Sequence, residues 1–308
     1  MRALQTIISA SIDYAGLFPP AALDMPSTTR NFADYRKHPH ARMLSRLIIP
    51  VARLDEFCKC ADGLLPHTGE GEGWRISALT APASNPAALR ADIDRILSFN
   101  DEHDTDESIE PAALIDCIEL KADSAADIDA AISDLPEGLN AFFEIPIDHD
   151  PRGLITALAG EPGVGAKVRT GGVTPDLFPS SSHLARFLTT CAAADVPFKA
   201  TAGLHHPLRG SFNLTYADNA PTHTMFGFLN VFLAAAYAYT DRMSPADATR
   251  LLEETDPRSI SFADEGVDWR GRRLPTEKLA RAREAFALSF GSCSFTEPVE
   301  DLKALNLL

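Results

Sequence analysis

The chain has 308 residues, 45% of them hydrophobic, enough to bury one sizeable core as a single domain of residues 1–308. Lys and Arg number 28 against 43 Asp and Glu, and the net charge of -15 argues against general affinity for nucleic-acid backbones or anionic membranes. Basic residues that cluster despite this balance therefore carry information.

In chain order, the opening stretch MRALQTIISASIDYAGLFPPA has no long apolar run and reaches Asp13 early, which predicts neither a signal peptide nor a membrane span and points to a cytoplasmic location. Within it, QTIISAS (5–11) reads as a first strand. Further strands are expected at RLIIPVA (46–52), WRISALT (74–80), LIDCIEL (114–120), NAFFEIP (140–146), GAKVRT (165–170) and PFKATAG (197–203). Segments 82–101, 124–135, 150–160 and 180–195 read as helices with Ser or Asp near their starts as caps. Residues 101–111 are acidic and read as a solvated loop, while 205–224 is too long for an ordinary strand-to-helix loop and is a candidate active-site lid.

The run GFLNVFLAAAYAY starting near Phe226 reads either as an eighth strand leading into a buried helix or as helix throughout, and belongs to the core or a subunit interface. A helix at 244–254, a hairpin in ISFADEGVDWRGRRL and a helix at 275–290 complete the chain, with 255–308 expected as hairpin and helix decoration. Strands alternating with helices at a repeat of roughly 25–32 residues predict an α/β fold, a TIM-type (β/α)8 barrel with a decorated C-terminal region. The five cysteines, Cys58, Cys60, Cys117, Cys191 and Cys293, are odd in number and scattered without zinc or redox spacing, and are expected as buried free thiols.

Parallel barrel strands are normally apolar on both faces, so a charge inside one needs a reason. Four consecutive predicted strands carry charges with one phase. Side chains alternate with period two, so Cys117, Glu119 and Lys121 share a face, Glu144 lies with Phe142, Lys167 with Arg169, and Lys199 with Thr201. Each charge sits late in its strand, at the end where barrels hold their chemistry. A lysine in a partly desolvated pocket beside a second cation loses its proton more easily, and the free amine attacks carbonyls. Lys167 and Lys199 fit that pairing, with Glu144 or Glu119 moving protons.

The lysines in AKVRTGG and FKATAGLHH resemble the lysine pair on the sixth and seventh strands of class I deoxyribose-phosphate aldolases. The resemblance implies Lys167 as the Schiff-base lysine and Lys199 as its neighbour. SFGSCSF (289–295) is similar to that family's phosphate-binding turn, implying Gly291, Ser292 and Ser294 as phosphate ligands. Arg169 stands where the family carries a small hydroxyl residue.

Other candidates surround this core. Arg169, Gly171 and Gly172, with Arg209, suggest an anion site, because glycines let backbone N–H groups approach and Arg binds oxyanions bidentately. Lys121, Asp13 and the tandem His205 and His206 are further substrate-binding candidates. The leading expectation is a cofactor-independent lyase or isomerase acting on a small anionic carbonyl metabolite of the sugar-phosphate or keto-acid class. An alternative is a metal-dependent barrel enzyme using Glu119, Glu144 and His205 or His206. A third is a non-catalytic metabolite-binding barrel. No Gly-x-Gly-x-x-Gly or Walker loop is visible, so dinucleotide or ATP use has no support. A homo-oligomer is compatible with the composition.

Overall fold

A computed structural model of the protein describes residues 1–66, 72–104 and 111–308. In chain order the elements are α1 (Arg2–Ile8), β1 (Ile12–Tyr14), α2 (Met25–Tyr35), β2 (Leu44–Pro50), α3 (Leu54–Ala61), β3 (Trp74–Leu79), α4 (Pro86–His103), β4 (Ala113–Lys121), α5 (Ala125–Ser133), β5 (Asn140–Glu144), α6 (Arg152–Leu158), β6 (Val164–Arg169), α7 (Ser181–Ala194) and β7 (Phe198–Thr201). There follow β8 (Gly210–Asn213), β9 (Thr222–Met225), α8 (Phe228–Asp241), α9 (Pro245–Leu252), β10 (Ile260–Phe262), β11 (Gly266–Trp269), β12 (Arg272–Pro275), α10 (Thr276–Ala285), β13 (Ala287–Ser292) and α11 (Thr296–Ala304).

Eight parallel strands close into a barrel in the order β1-β13-β7-β6-β5-β4-β3-β2, so the fold is a TIM-type α/β barrel. The strands carry alternating apolar residues outward onto the helices: Ile118 and Leu120 of β4, Phe143 of β5 and Val168 of β6 are all buried in that layer. Local chemistry sets the helix starts. The Asn85 side chain accepts from Ala88 N at the start of α4, with Pro86 in the first turn, and Ser124, Ser180 and Ser244 cap α5, α7 and α9 in the same way.

Two barrel strands lie elsewhere than the sequence suggests. Residues 2–8 form a helix whose Ala3, Leu4, Ile7 and Ile8 are buried, a helical spacing, and the first strand is the three-residue Ile12–Tyr14. The 226–238 run is helical throughout from Phe228 and is buried against the barrel rather than offered to a partner. The eighth strand is Ala287–Ser292, inside the stretch expected as helix 275–290, with only Phe286 between α10 and β13. The expected hairpin is a three-stranded antiparallel sheet, β10-β11-β12, against which α1 packs, with Ala3 N donating to Ala263 O at 3.1 Å.

The β8–β9 hairpin occupies the candidate lid segment. The acidic loop at 101–111 is helical to His103, and residues 105–110 lie outside the described residues. Cys117, Cys191 and Cys293 are buried free thiols, whereas Cys58 and Cys60 are half-buried. Among the described residues no helix is long and apolar enough to cross a membrane.

Candidate active site

Strand register brings the charged side chains together. Lys121 pairs with Glu144, Glu144 with Lys167, and Lys167 with Lys199, each on adjoining parallel strands. Because β4, β5, β6 and β7 end at Lys121, Glu144, Arg169 and Thr201, these groups lie at the C-terminal rim or just beneath it.

Across the barrel interior the charges alternate in sign. Asp13 Oδ2 lies 2.9 Å from Lys199 Nζ, which lies 2.6 Å from Glu119 Oε1. Glu119 Oε2 is 2.8 Å from Lys167 Nζ, and Lys167 Nζ is 3.0 Å from Glu144 Oε2. Arg169 Nε completes the series at 3.6 Å from Glu144 Oε1. Neutral hydroxyls satisfy the remaining lone pairs: Ser77 Oγ donates to Glu119 Oε1 at 2.7 Å and Ser289 Oγ to Asp13 Oδ2 at 2.6 Å, while Arg46 N donates to Asp13 Oδ1 at 3.0 Å. Asp13, Lys199 and Glu119 are 0%, 2% and 2% exposed, and Lys167 is 6% exposed. Charges so deeply buried are tolerable only when paired and hydrogen-bonded, as these are.

The electrostatics differ from the expected lysine pair in one respect. Burial pulls the Lys167 ammonium down, but the Glu119 and Glu144 carboxylates outweigh it and hold its pKa above the usual lysine value. Lys199 is likewise raised, burial being overcome by Asp13, Cys117 and Glu119. Conversely, burial pushes Glu119 up, yet Lys167 and Lys199 hold it well below the carboxylate range, and Glu144 is lowered against burial by Lys167, Arg169 and Lys121. Lys199 therefore does not depress its neighbour, because the interposed Glu119 neutralises the repulsion.

Above this layer opens a cavity of about 660 Å³, of ordinary size for a small-molecule site. Glu119, Lys121, Glu144, Lys167, Arg169, Gly172 and His205 line it, together with Gly291 and Cys293. Lys199 and Asp13 lie beneath and do not reach it. Gly171 packs on the Phe178 ring and brushes Gly203, where an added Cβ would stand 2.9 Å from Gly171 Cα, so the β6 and β7 loops touch backbone to backbone.

The remaining expected residues go elsewhere. Arg209 lies over the Phe226 ring, 4.9 Å from its centroid, outside the cavity. His206 pairs with Asp301 at 2.5 Å and stacks on Phe212. Ser292 Oγ is turned into its own loop, donating to Ser294 O at 2.7 Å, and Ser294 Oγ accepts from Glu297 N at 3.1 Å at the start of α11. The implied phosphate-binding hydroxyls are thus spent on the turn and the helix start. The Glu119, Glu144 and histidine set for a metal is not assembled: the Lys167 ammonium sits between the two carboxylates, and each histidine faces a different acid. Among the described residues no group of three or more His, Cys, Asp or Glu side chains is placed to hold a metal ion.

Two residues absent from the sequence reading, Glu297 and Tyr216, complete the mouth beside the expected His205. His205 Nδ1 lies 3.3 Å from Glu297 Oε2 and 3.3 Å from Ser292 Oγ. Tyr216 OH, from the loop between β8 and β9, donates to Glu297 Oε2 at 2.8 Å and lies 3.6 Å from Cys293 Sγ. With Nδ1 engaged, the His205 ring lines the cavity as a second polar group, on the β13 side of Lys167, while Glu144 stands on the β5 side. Ser77, which shares a strand face with Leu79, carried the detectable signal of a polar residue inside a buried strand. No protein-family model matches the chain, and no curated protein matches it.

Proposed function

We propose that the chain is a lyase or isomerase that binds a small anionic carbonyl compound and activates it as a Schiff base on Lys167. The observation that carries this reading is that Lys167, alone of the two lysines, lines the cavity while held between carboxylates at 2.8 and 3.0 Å.

In this reading the bound carbonyl carbon meets Lys167 Nζ, and Glu144, whose carboxylate also faces the cavity, relays protons from the ammonium to the carbonyl oxygen as the new bond forms. The nitrogen adds to the carbonyl carbon, two of its three protons end on the carbonyl oxygen, which leaves as water, and the third stays on the iminium nitrogen, so Glu144 is again a carboxylate. The iminium carries the single positive charge that the ammonium carried, in the same place. Glu119 and Glu144 therefore stabilise it without rearranging. The iminium withdraws electrons from the adjoining carbon–carbon or carbon–hydrogen bond, and Glu144 returns or removes the proton. Glu119, shared with Lys199 and Ser77, is fixed as counter-ion rather than carrier.

Among the residues lining the cavity, three cations, Lys121, Lys167 and Arg169, stand against two carboxylates, Glu119 and Glu144, so the wall of this cavity in an otherwise acidic chain favours an anion. The test is borohydride reduction in the presence of a panel of aldehydes, ketones and oxo acids, followed by peptide mass spectrometry. An adduct on Lys167 is expected and none on Lys199. A panel that leaves Lys167 unmodified defeats the Schiff-base reading.

A further inference from the structure

The cavity has two unlike halves. Following the barrel order, the arc over β4, β5 and β6 presents all five charged groups, Glu119, Lys121, Glu144, Lys167 and Arg169, beside the apolar Leu120, Val173 and Leu177, whereas the arc over β1, β2 and β3 presents no charge, only Ala15, Phe18, Pro19, Ile48, Leu79, Thr80 and Pro82. Thr80 is the polar exception on the second arc. Gly291 of β13 keeps that half open, since an added Cβ would stand 3.3 Å from Ile48 Cδ1 and 3.3 Å from Thr201 Oγ1.

A polyhydroxylated substrate would set hydroxyls against these hydrocarbon walls with nothing to replace their water, at a cost of kilocalories for each one. At the Gly291–Ser294 turn a phosphate group would find the hydroxyls engaged and the Glu297 carboxylate alongside. By contrast, a planar carboxylate matches the Arg169 fork, whose ion pair with Glu144 is loose at 3.6 Å, with Lys121 adding a second charge.

We infer that the site takes an oxo acid with an apolar alkyl or aryl body: the carboxylate at Arg169 and Lys121, the carbonyl carbon at Lys167, and the body on the Phe18, Ile48 and Leu79 arc. This rests on the proposed function only in placing the reacting carbon at Lys167.

The test uses the intact chain and unreactive acids, so it does not depend on lysine chemistry. Calorimetric titration with straight-chain carboxylates from propanoate to octanoate is expected to show affinity rising up to about fourfold per methylene, the equivalent of about 0.8 kcal/mol, until the arc is filled. Ribose 5-phosphate is expected to bind at least tenfold more weakly than hexanoate. Leu79→Asn should flatten the length dependence, because Leu79 lines the apolar arc. A length series that is flat in the unsubstituted protein, tighter binding of ribose 5-phosphate than of hexanoate, or no binding of any acid overturns the inference. A rising series alongside failed borohydride trapping keeps the substrate class and removes the Schiff base, so the two failures are told apart.

Discussion

Lys167 and Lys199 stand opposite one another in register on β6 and β7, yet the single carboxylate of Glu119 bridges both ammonium groups, at 2.8 Å to one and 2.6 Å to the other. Removing its charge leaves two buried cations sharing Asp13 and Glu144. Glu119→Gln is expected to cost roughly 3–5 kcal/mol of unfolding free energy, the usual penalty for breaking a buried ion pair from one side. Denaturant unfolding measures this. A loss below about 1 kcal/mol would mean that the network is not held as a unit.

The strands that carry this network were legible because charges interrupt apolar runs with a fixed phase: Glu119, Glu144, Lys167 and Lys199 each needed a partner inside the barrel. The two strands that close the ring were not. β1 is three residues long and follows a helix of β-branched composition, so residues 5–11 carry strand-like composition on a helical spacing. β13 follows α10 with one residue between, leaving no Gly, Pro or Asn turn to mark the change from helix to strand. In the site, Glu297 and Tyr216 were invisible because nothing local distinguishes them. Only the fold brings α11 and the β8–β9 loop to His205, and neither residue sits in a buried strand where its polarity would stand out.

The pH dependence of stability follows from the shifted groups. Glu119 and Glu144 are held below their ordinary 4.5, so what they contribute is complete above that value and is lost as pH falls through the depressed folded values. Lys167 and Lys199 are held above their ordinary 10.5, so the same ion pairs contribute fully below it and fade as pH rises through the folded values. Between these limits this network adds no slope. Unfolding free energy measured from pH 3 to 7 should therefore rise with pH at the acid end, and Glu144→Gln should remove part of that rise. Identical acid slopes in the two proteins would contradict the assignment.

Arg169 separates binding from stability. Its side chain is 42% exposed and its contact with Glu144 is long at 3.6 Å, so Arg169→Ala should alter unfolding free energy by no more than about 0.5 kcal/mol. A carboxylate ligand, however, loses a charged hydrogen-bonding partner worth roughly 1.5–3 kcal/mol, equivalent to a tenfold to hundredfold loss of affinity. Calorimetry with hexanoate on a variant of unchanged unfolding midpoint checks both halves. Undiminished binding would place the carboxylate elsewhere.

The hairpin at the mouth is tied both along its strands and at its tip. Along its strands Phe212 stacks on His206 and His223 packs on Phe178, while at its tip Leu214 is buried and the Tyr216 hydroxyl donates to Glu297 at 2.8 Å although the residue is 55% exposed. So exposed a ring adds little burial of its own, which leaves the hydroxyl as the tie. Tyr216→Phe removes that tie and frees a Glu297 oxygen next to His205. Loss of about 1.4 kcal/mol of local stability should speed amide exchange about tenfold in residues 214–222. Exchange in β4, β6 and β7 should stay unchanged, because the barrel network contains no atom of the hairpin. Hydrogen exchange with peptide resolution reads both regions in one experiment, and equal exchange in variant and parent across the hairpin would show that its ring and apolar contacts alone hold it down.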